Sequence, residues 1–322
     1  MKDFKFKSKG PQTKSFGYQV LGFGAGGGPP AEFVAATGGN TITTDGDFKV
    51  HSFTGPGTLC VSSAGNNAGS STIDYLVVAG GGAGGNRTHA GGGGAGGYRA
   101  SGHGPSPLQG TAITAAVQGY PITIGAGGSP NPSPNYRGNV GANSVFSTIT
   151  STGGGGGGGG GPGTGKGSAG GSGGGSGGNP TSPGCLSGAA GNTPPVSPPQ
   201  GNNGGNGSGI AGNYHQGGGG GGALAAGGNT SSPGTPNDGD GGSGAPNDIT
   251  GTATFYAGGG SGYAENSGGA GGGGSNPGGA PVHPTANPDD PGLANSGGGG
   301  AGDGPNPGTG GSGIVIIRYK FQ

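Results

Sequence analysis

The sequence predicts an all-β protein. A small antiparallel β framework carries an inserted bundle of glycine-rich, polyproline-II-like helices, with essentially no α-helix. Three observations predict it. Gly supplies 99 of the 322 residues and falls in blocks such as Gly153 to Gly161. Between blocks lie short runs rich in β-branched and aromatic side chains, bounded by Gly, Asn, Ser or Pro, which is the strand signature. No segment sustains the 3.6-residue period of an amphipathic helix.

Taken in chain order, residues 1–28 form an arm with five Lys (Lys2, Lys5, Lys7, Lys9, Lys14) against one Asp, alternating with Phe4 and Phe6. It reads either as a strand that docks by edge addition or as a solvated arm. Residues 29–152 hold most of the framework and the first Gly-rich rods. Thr41-Ile42-Thr43 and Phe48-Lys49-Val50 flank Asp45-Gly46, a tight hairpin turn. Phe48–Phe53, Leu59–Val61, Asp74–Val78, Tyr120–Ile124 and Val145–Ile149 follow as strands. Residues 153–309 are the Gly-rich bundle, with one further strand at Ala253–Tyr256. Residues 310–322 close the framework with Ile314–Phe321. Val315, Ile317, Tyr319 and Phe321 share one face of that strand, Arg318 and Lys320 the other. Its polar face appears only toward the end, so it starts buried on both sides and emerges.

Composition alone predicts disorder, since aperiodic Gly- and Pro-rich chains are usually low-complexity; the strand runs argue against it. Ordering a residue costs about 1–2 kcal/mol, and Gly is at the costly end. Gly buries no side chain, so only backbone hydrogen bonds remain to offset that cost, each worth roughly 0.5–1.5 kcal/mol net. Polyproline-II-like helices have no internal hydrogen bonds and point those groups outward. Packed side by side without Cβ atoms, they can bond laterally. The Gly blocks are broken only by Ala or Ser, as at Ala95, Ser172 and Ser176. Pro-rich reversing loops separate them, such as Ser129–Pro134, Pro194–Pro199 and Asn287–Pro291.

Other classes are excluded. Charged residues are 7% and apolar residues 26%, too few for a conventional enzyme core. Collagen needs Gly at every third position. Twelve basic and twelve acidic residues give zero net charge and no long-range pull on nucleic acid. No apolar run approaches 18 residues, so no membrane span is expected. The N-terminus lacks the apolar region of a signal peptide, which leaves lysis or a dedicated machine as the way out of a cell. Cys60 and Cys185 read as two small buried thiols, neither a disulfide framework nor a metal site. Gly160–Gly167 imitates a phosphate-binding loop, but Gly167 replaces the Ser/Thr that binds Mg²⁺. Asp238-Gly239-Asp240-Gly241 lacks the rest of a calcium loop and reads as a solvated turn. His51, on a strand, reads as a packing residue. No catalytic constellation stands out, and no cofactor is expected.

A binding site belongs where large polar-aromatic residues interrupt the small ones, because Tyr and Arg give much contact energy at modest entropy cost. Four candidate loops result. They hold Arg87, His89, Tyr98, Arg99 and His103; Asn135, Tyr136 and Arg137; Tyr214, His215 and Gln216; and Tyr263 with Glu265.

Asp74-Tyr75-Leu76-Val77-Val78-Ala79-Gly80-Gly81-Gly82, Gly91–Arg99, Tyr120–Gly125, Ser144–Ser147 and Gly313–Tyr319, in that order and spacing, resemble the glycine-rich domain of tailed-phage tail fibres and tail-tip adhesins. The resemblance covers about residues 30–322. It implies a polyglycine-II sandwich whose far-edge loops touch a host cell-surface receptor, a glycan or an outer-membrane protein. It also implies a non-enzymatic virion protein, homotrimeric as such fibres commonly are, docked on other tail proteins through residues 1–28. Two rivals remain: a self-assembling extracellular fibril subunit, and a disordered Gly-rich matrix protein.

Overall fold

A computed structural model of the chain describes residues 28–133, 136–178, 186–210, 214–230, 239–263, 290–302 and 306–322. The arm at 1–28 therefore lies outside the described residues except for Gly28. So do Asn135, Cys185, Asp238, Glu265 and the block Gly268–Gly274.

The strands run β1 (Val34–Thr37), β2 (Thr41–Asp45), β3 (Phe48–Phe53), β4 (Gly57–Ala64), β5 (Thr72–Val78), β6 (Tyr98–Ser101), β7 (Gln109–Gly110), β8 (Ile113–Thr114), β9 (Gly119–Thr123), β10 (Ser144–Phe146) and β11 (Ile149–Ser151). Within the Gly-rich segment lie two small hairpins, β12 (Ser208–Ile210) with β13 (Tyr214–Gln216), and β14 (Ala245–Asn247) with β15 (Thr254–Tyr256). The last strand is β16 (Ile314–Lys320). Among the described residues the helical content is one 3₁₀ turn, Ser106–Leu108. The protein is all-β.

Two sheets form the framework. One has the order β1-β4-β9-β10-β11; the other runs β2-β3-β16-β5-β6-β7, with β8 beside β5. All pairs are antiparallel except β6 with β7. The hairpin at Asp45-Gly46 forms as expected: Asp45 pairs with Phe48, and Gly46 takes φ +56°. The run Val145–Ile149 is not one strand. Ser147, at φ +54°, turns the chain between β10 and β11, which pair with each other.

β16 sits between β3 and β5, with Ile317 opposite His51 on one side and Tyr75 on the other. Its Val315, Ile317 and Tyr319 meet Ile73, Tyr75 and Val77 of β5. Across the sandwich they face Leu59, Val61, Tyr120, Ile122 and Phe146 of the other sheet. Its opposite face, Ile314 and Ile316, joins Val50, Leu76 and Val78 beneath Ala245, Ile249 and Tyr256 from the Gly-rich segment. Each aliphatic side chain buried this way is worth about 1.5–3 kcal/mol. Arg318 does not reach solvent as the alternation suggested. Its guanidinium lies 2.8 Å from Asp45 Oδ2 and 3.1 Å from the Ile249 carbonyl, and covers the Phe48 ring at 4.3 Å.

His51 is a packing residue. Its Nδ1 donates to the Gly38 carbonyl at 2.6 Å, and its Nε2 accepts from the Tyr319 hydroxyl at 2.9 Å. Burial holds its pKa below the ordinary 6.5. Cys60, expected to be buried, is exposed. The pleat of β4 turns Leu59 and Val61 into the core and therefore turns Cys60 outward.

The Gly blocks form a lattice knit chiefly by main chain. Along Gly80–Asn86 every N–H donates to another segment, at 2.8–3.0 Å. Gly80, Ala83 and Asn86 donate to Ala142, Asn139 and Tyr136. Gly81 and Gly84 donate to Gly311 and Gly308. Gly82 and Gly85 donate to Gly94 and Gly91. Partners recur at every third residue, so this rod has three residues per turn, the polyproline-II repeat. Its carbonyls accept from Gly154, Gly157 and Gly160 of one rod, from Gly128 of a second and from Gly300 of a third. The rod thus has six neighbours. Gly91–Gly97 repeats the pattern, donating to Gly158, Gly218, Gly300, Gly155, Gly221, Gly297 and Thr152 in turn. Ala95 is tolerated because its methyl joins the core beside Val78 and Tyr98. Ser176 is tolerated because its hydroxyl bonds the Gly207 N–H and the Leu186 carbonyl.

A Cβ on Gly157 would lie 2.0 Å from the Gly91 carbonyl oxygen and 2.8 Å from the Gly85 nitrogen. Both are main-chain atoms that cannot step aside singly. Gly157→Val should cost about 3 kcal/mol or more. Ser133→Val, at an exposed position, should stay within about 0.5 kcal/mol. Thermal melting of both variants checks this, and equal shifts would contradict the lattice.

Candidate functional site

The rods define two ends. β5 feeds Gly80–Asn86, the chain turns at Arg87–His89, and Gly91–Gly97 returns to β6. Arg87–His89 is therefore distal to the framework, roughly 19 Å away at ~3.1 Å per residue. The other rods place their ends by the same hydrogen bonds. Asn86 N–H donates to the Tyr136 carbonyl (3.0 Å), Gly178 to the His89 carbonyl (2.7 Å), Tyr263 to the Ala90 carbonyl (2.9 Å), and Gly217 to the Tyr263 carbonyl (2.9 Å). Tyr136, Tyr263 and the start of the Gly217–Gly222 rod thus gather with Arg87 at the distal end.

Within this cluster Arg87 and Thr88 are exposed, as are Tyr136 (51%) and Arg137. Arg87 and His89 hold φ +87° and +71°, values that non-Gly residues adopt at a cost. The turn is kept tight by the rods on either side of it. The His89 ring is buried and meets Tyr263 edge-on, centroids 6.0 Å apart. Asn86 Nδ2 donates to the Asn131 carbonyl at 3.1 Å, fixing the neighbouring loop. β13 carries Tyr214, His215 and Gln216 directly before the Gly217 rod, so its backbone is distal too.

Three candidates lie elsewhere. Tyr98, Arg99 and His103 are at the framework end, on and just after β6. Tyr98 is 1% exposed, and its hydroxyl accepts from Asn247 Nδ2 at 2.7 Å. Burial pushes its pKa up to about 12. Arg99 is half-buried on the same strand. His103 Nδ1 lies 3.0 Å from Asp248 Oδ1, and that hydrogen bond holds the Asp248 carboxyl below its usual range. The structure thus separates this trio from Arg87, which the sequence grouped with it, by the length of a rod.

The glycine-rich domain family matches residues 54–320, from the residue after β3 to the end of β16. The chain belongs to that family. No curated protein matches the chain. In this glycine-rich domain the distal cluster offers guanidinium donors, phenol rings and amides. It suits recognition by hydrogen bonding and stacking. Among the described residues no group of three His, Cys, Asp or Glu side chains is placed to hold a metal ion, and no helix is long and apolar enough to cross a membrane.

Sequence reasoning missed Asn131, Asn139, Thr164 and Ser168, which line a distal groove together with Tyr136 and Arg137. A signal existed. Pro162, Thr164 and Lys166 interrupt a Gly tract that otherwise admits only Ala and Ser.

The burial of Tyr98 generates a prediction about this glycine-rich domain. Tyr98→Phe leaves Asn247 Nδ2 without its buried partner and should cost about 1–3 kcal/mol of stability. Denaturant unfolding of the variant checks this.

Proposed function

We propose that the protein is a phage tail-fibre or tail-tip adhesin: a non-enzymatic virion component whose distal loops bind a host cell-surface receptor. The observation that carries this reading is the rod lattice itself. Continuous hydrogen-bonded rods connect a β framework at one end to exposed Arg87, Tyr136 and Arg137 at the other. A stiff platform presenting Arg and Tyr loses little entropy on binding, which suits a recognition surface. Two further features support it: the resemblance of the motif order to the glycine-rich domain of phage fibres, and a Lys- and Phe-bearing segment at 1–28 suited to attachment on another tail protein. The assembled form in this reading is a homotrimer at the tail.

A second reading is a self-assembling extracellular fibril subunit. It is favoured by β2, an edge strand with Thr41–Thr44 exposed and Ile42 half in solvent, since an open edge can pair with another chain. Electron microscopy separates the two, as an appendage of fixed length on a particle or an open-ended filament.

The adhesin reading is tested by binding of the purified protein to a panel of bacterial strains. Wild type should bind a subset of strains, and Arg87→Ala with Tyr136→Ala should lower that binding about tenfold or more at unchanged melting temperature. Failure to bind any strain, or equal binding by the variant, would contradict it.

A further inference from the structure

The distal end holds a groove between residues 131–140 and residues 163–168. Its volume is about 440 Å³, inside the roughly 300–1,000 Å³ range of small-molecule sites. Asn131, Tyr136, Arg137, Asn139, Thr164 and Ser168 line it. Its walls are fixed by the lattice. Gly138 N–H donates to Gly157 (2.9 Å), Ser168 to Gly156 (2.8 Å), and Gly159 to Thr164 (3.0 Å). The groove is therefore preformed, and a ligand pays little to order it.

Its charge is one-sided. No Asp or Glu occurs between Asp74 and Asp238, while Arg87, Arg99, Arg137 and Lys166 do. Zero net charge over the whole chain conceals this. Arg137 lines the groove; Lys166, between Thr164 and Ser168 in sequence and exposed, lies outside that lining. Neither has a carboxylate partner among the described residues. Beside Arg137 in the lining stand one exposed aromatic ring, Tyr136, and Val140, also exposed. A protein partner generally needs about 800 Å² of surface with several aromatic anchors. A single ring, a preformed small groove, amide and hydroxyl groups and a guanidinium with no carboxylate partner among the described residues fit a smaller ligand.

The geometry points to a binding site for an acidic, carboxylate-bearing saccharide. The Tyr136 ring covers the apolar face of a sugar. Arg137 pairs with the carboxylate in bidentate fashion. Asn131, Asn139 and Thr164 bond the hydroxyls. This names the ligand class of the surface in the adhesin reading and rests on that reading for its biological role.

The test titrates the purified full chain with oligogalacturonate, oligosialic acid and a neutral maltooligosaccharide of equal length. At least one acidic saccharide should bind about tenfold or more tightly than the neutral one, as expected when a charged hydrogen bond is added, and its affinity should fall as salt rises. Arg137→Ala should remove that preference without shifting the melting temperature. Tyr136→Ala should weaken both classes. Equal affinity for acidic and neutral sugars would overturn the proposal. So would no binding to either acidic sugar, an unchanged Arg137→Ala variant, or equally tight binding of a polyglutamate peptide. Cell binding measured in parallel keeps the two ideas apart. If cells bind and acidic saccharides neither bind nor compete, this site falls and the adhesin reading stands. If the saccharide binds through Arg137 and no strain is bound, the reverse holds.

Discussion

Main-chain N–H to carbonyl bonding between rods is the interaction on which the rest of the structure depends. A strand bonds two neighbours in one plane. A threefold rod presents its groups in three directions, so Gly80–Asn86 engages six neighbours at once. Because each bond is worth little net, the lattice holds only as a cooperative array. That array needs side walls. At its edges amide side chains stand in for missing carbonyls: Asn203 Oδ1 accepts from Gly191, Asn206 Oδ1 from Gly188, Asn143 Oδ1 from Gly153 and Gln200 Oε1 from Thr152, each at 2.9 Å. Asn203 and Asn206 are themselves three apart, in step with the rod repeat.

The β sandwich supplies what the lattice lacks. Its side chains bury apolar surface, and its strands fix where rods begin. β5, β9 and β11 each run directly into a rod, and β16 continues from one. Rods made of identical residues could slide along each other in steps of three with no change in contacts. Entry points set by Val78, Thr123, Ser151 and Ile314 remove that freedom. The distal loops in turn inherit their positions from strands about a rod length away.

Much of this was legible in the sequence. β16 stood out because Ile, Val and aromatic residues concentrate there, and Asp45-Gly46 announced its hairpin. Gly blocks broken only by Ala or Ser announced the rods. Which rod lies beside which was not legible, because Gly carries no side chain to mark a face. Tyr98 was misplaced for a related reason. Flanked by Gly97, it looked like a residue in an exposed loop. Yet it is the first residue of β6, opposite Val78, and turns toward Asn247, nearly 150 positions away. Cys60 was misjudged from residue type, where the alternation of Leu59 and Val61 would have placed it correctly. Arg87, Tyr136 and Tyr263, which the rods gather at the distal end, stand out in the sequence as interruptions of small residues. The Thr164 and Ser168 wall of the groove was not legible, because in sequence Gly160–Gly167 resembles only a phosphate-binding loop.

Amide hydrogen exchange resolved at single residues tests the central claim most directly. Gly154, Gly155, Gly157 and Gly158 donate to Gly80, Ser172, Ala83 and Gly175. A cooperative lattice predicts that these four exchange about 10³-fold or more slowly than an unstructured chain, in step with core amides of β16. Exchange at unprotected rates in the Gly tract, while β16 stays protected, would contradict the account.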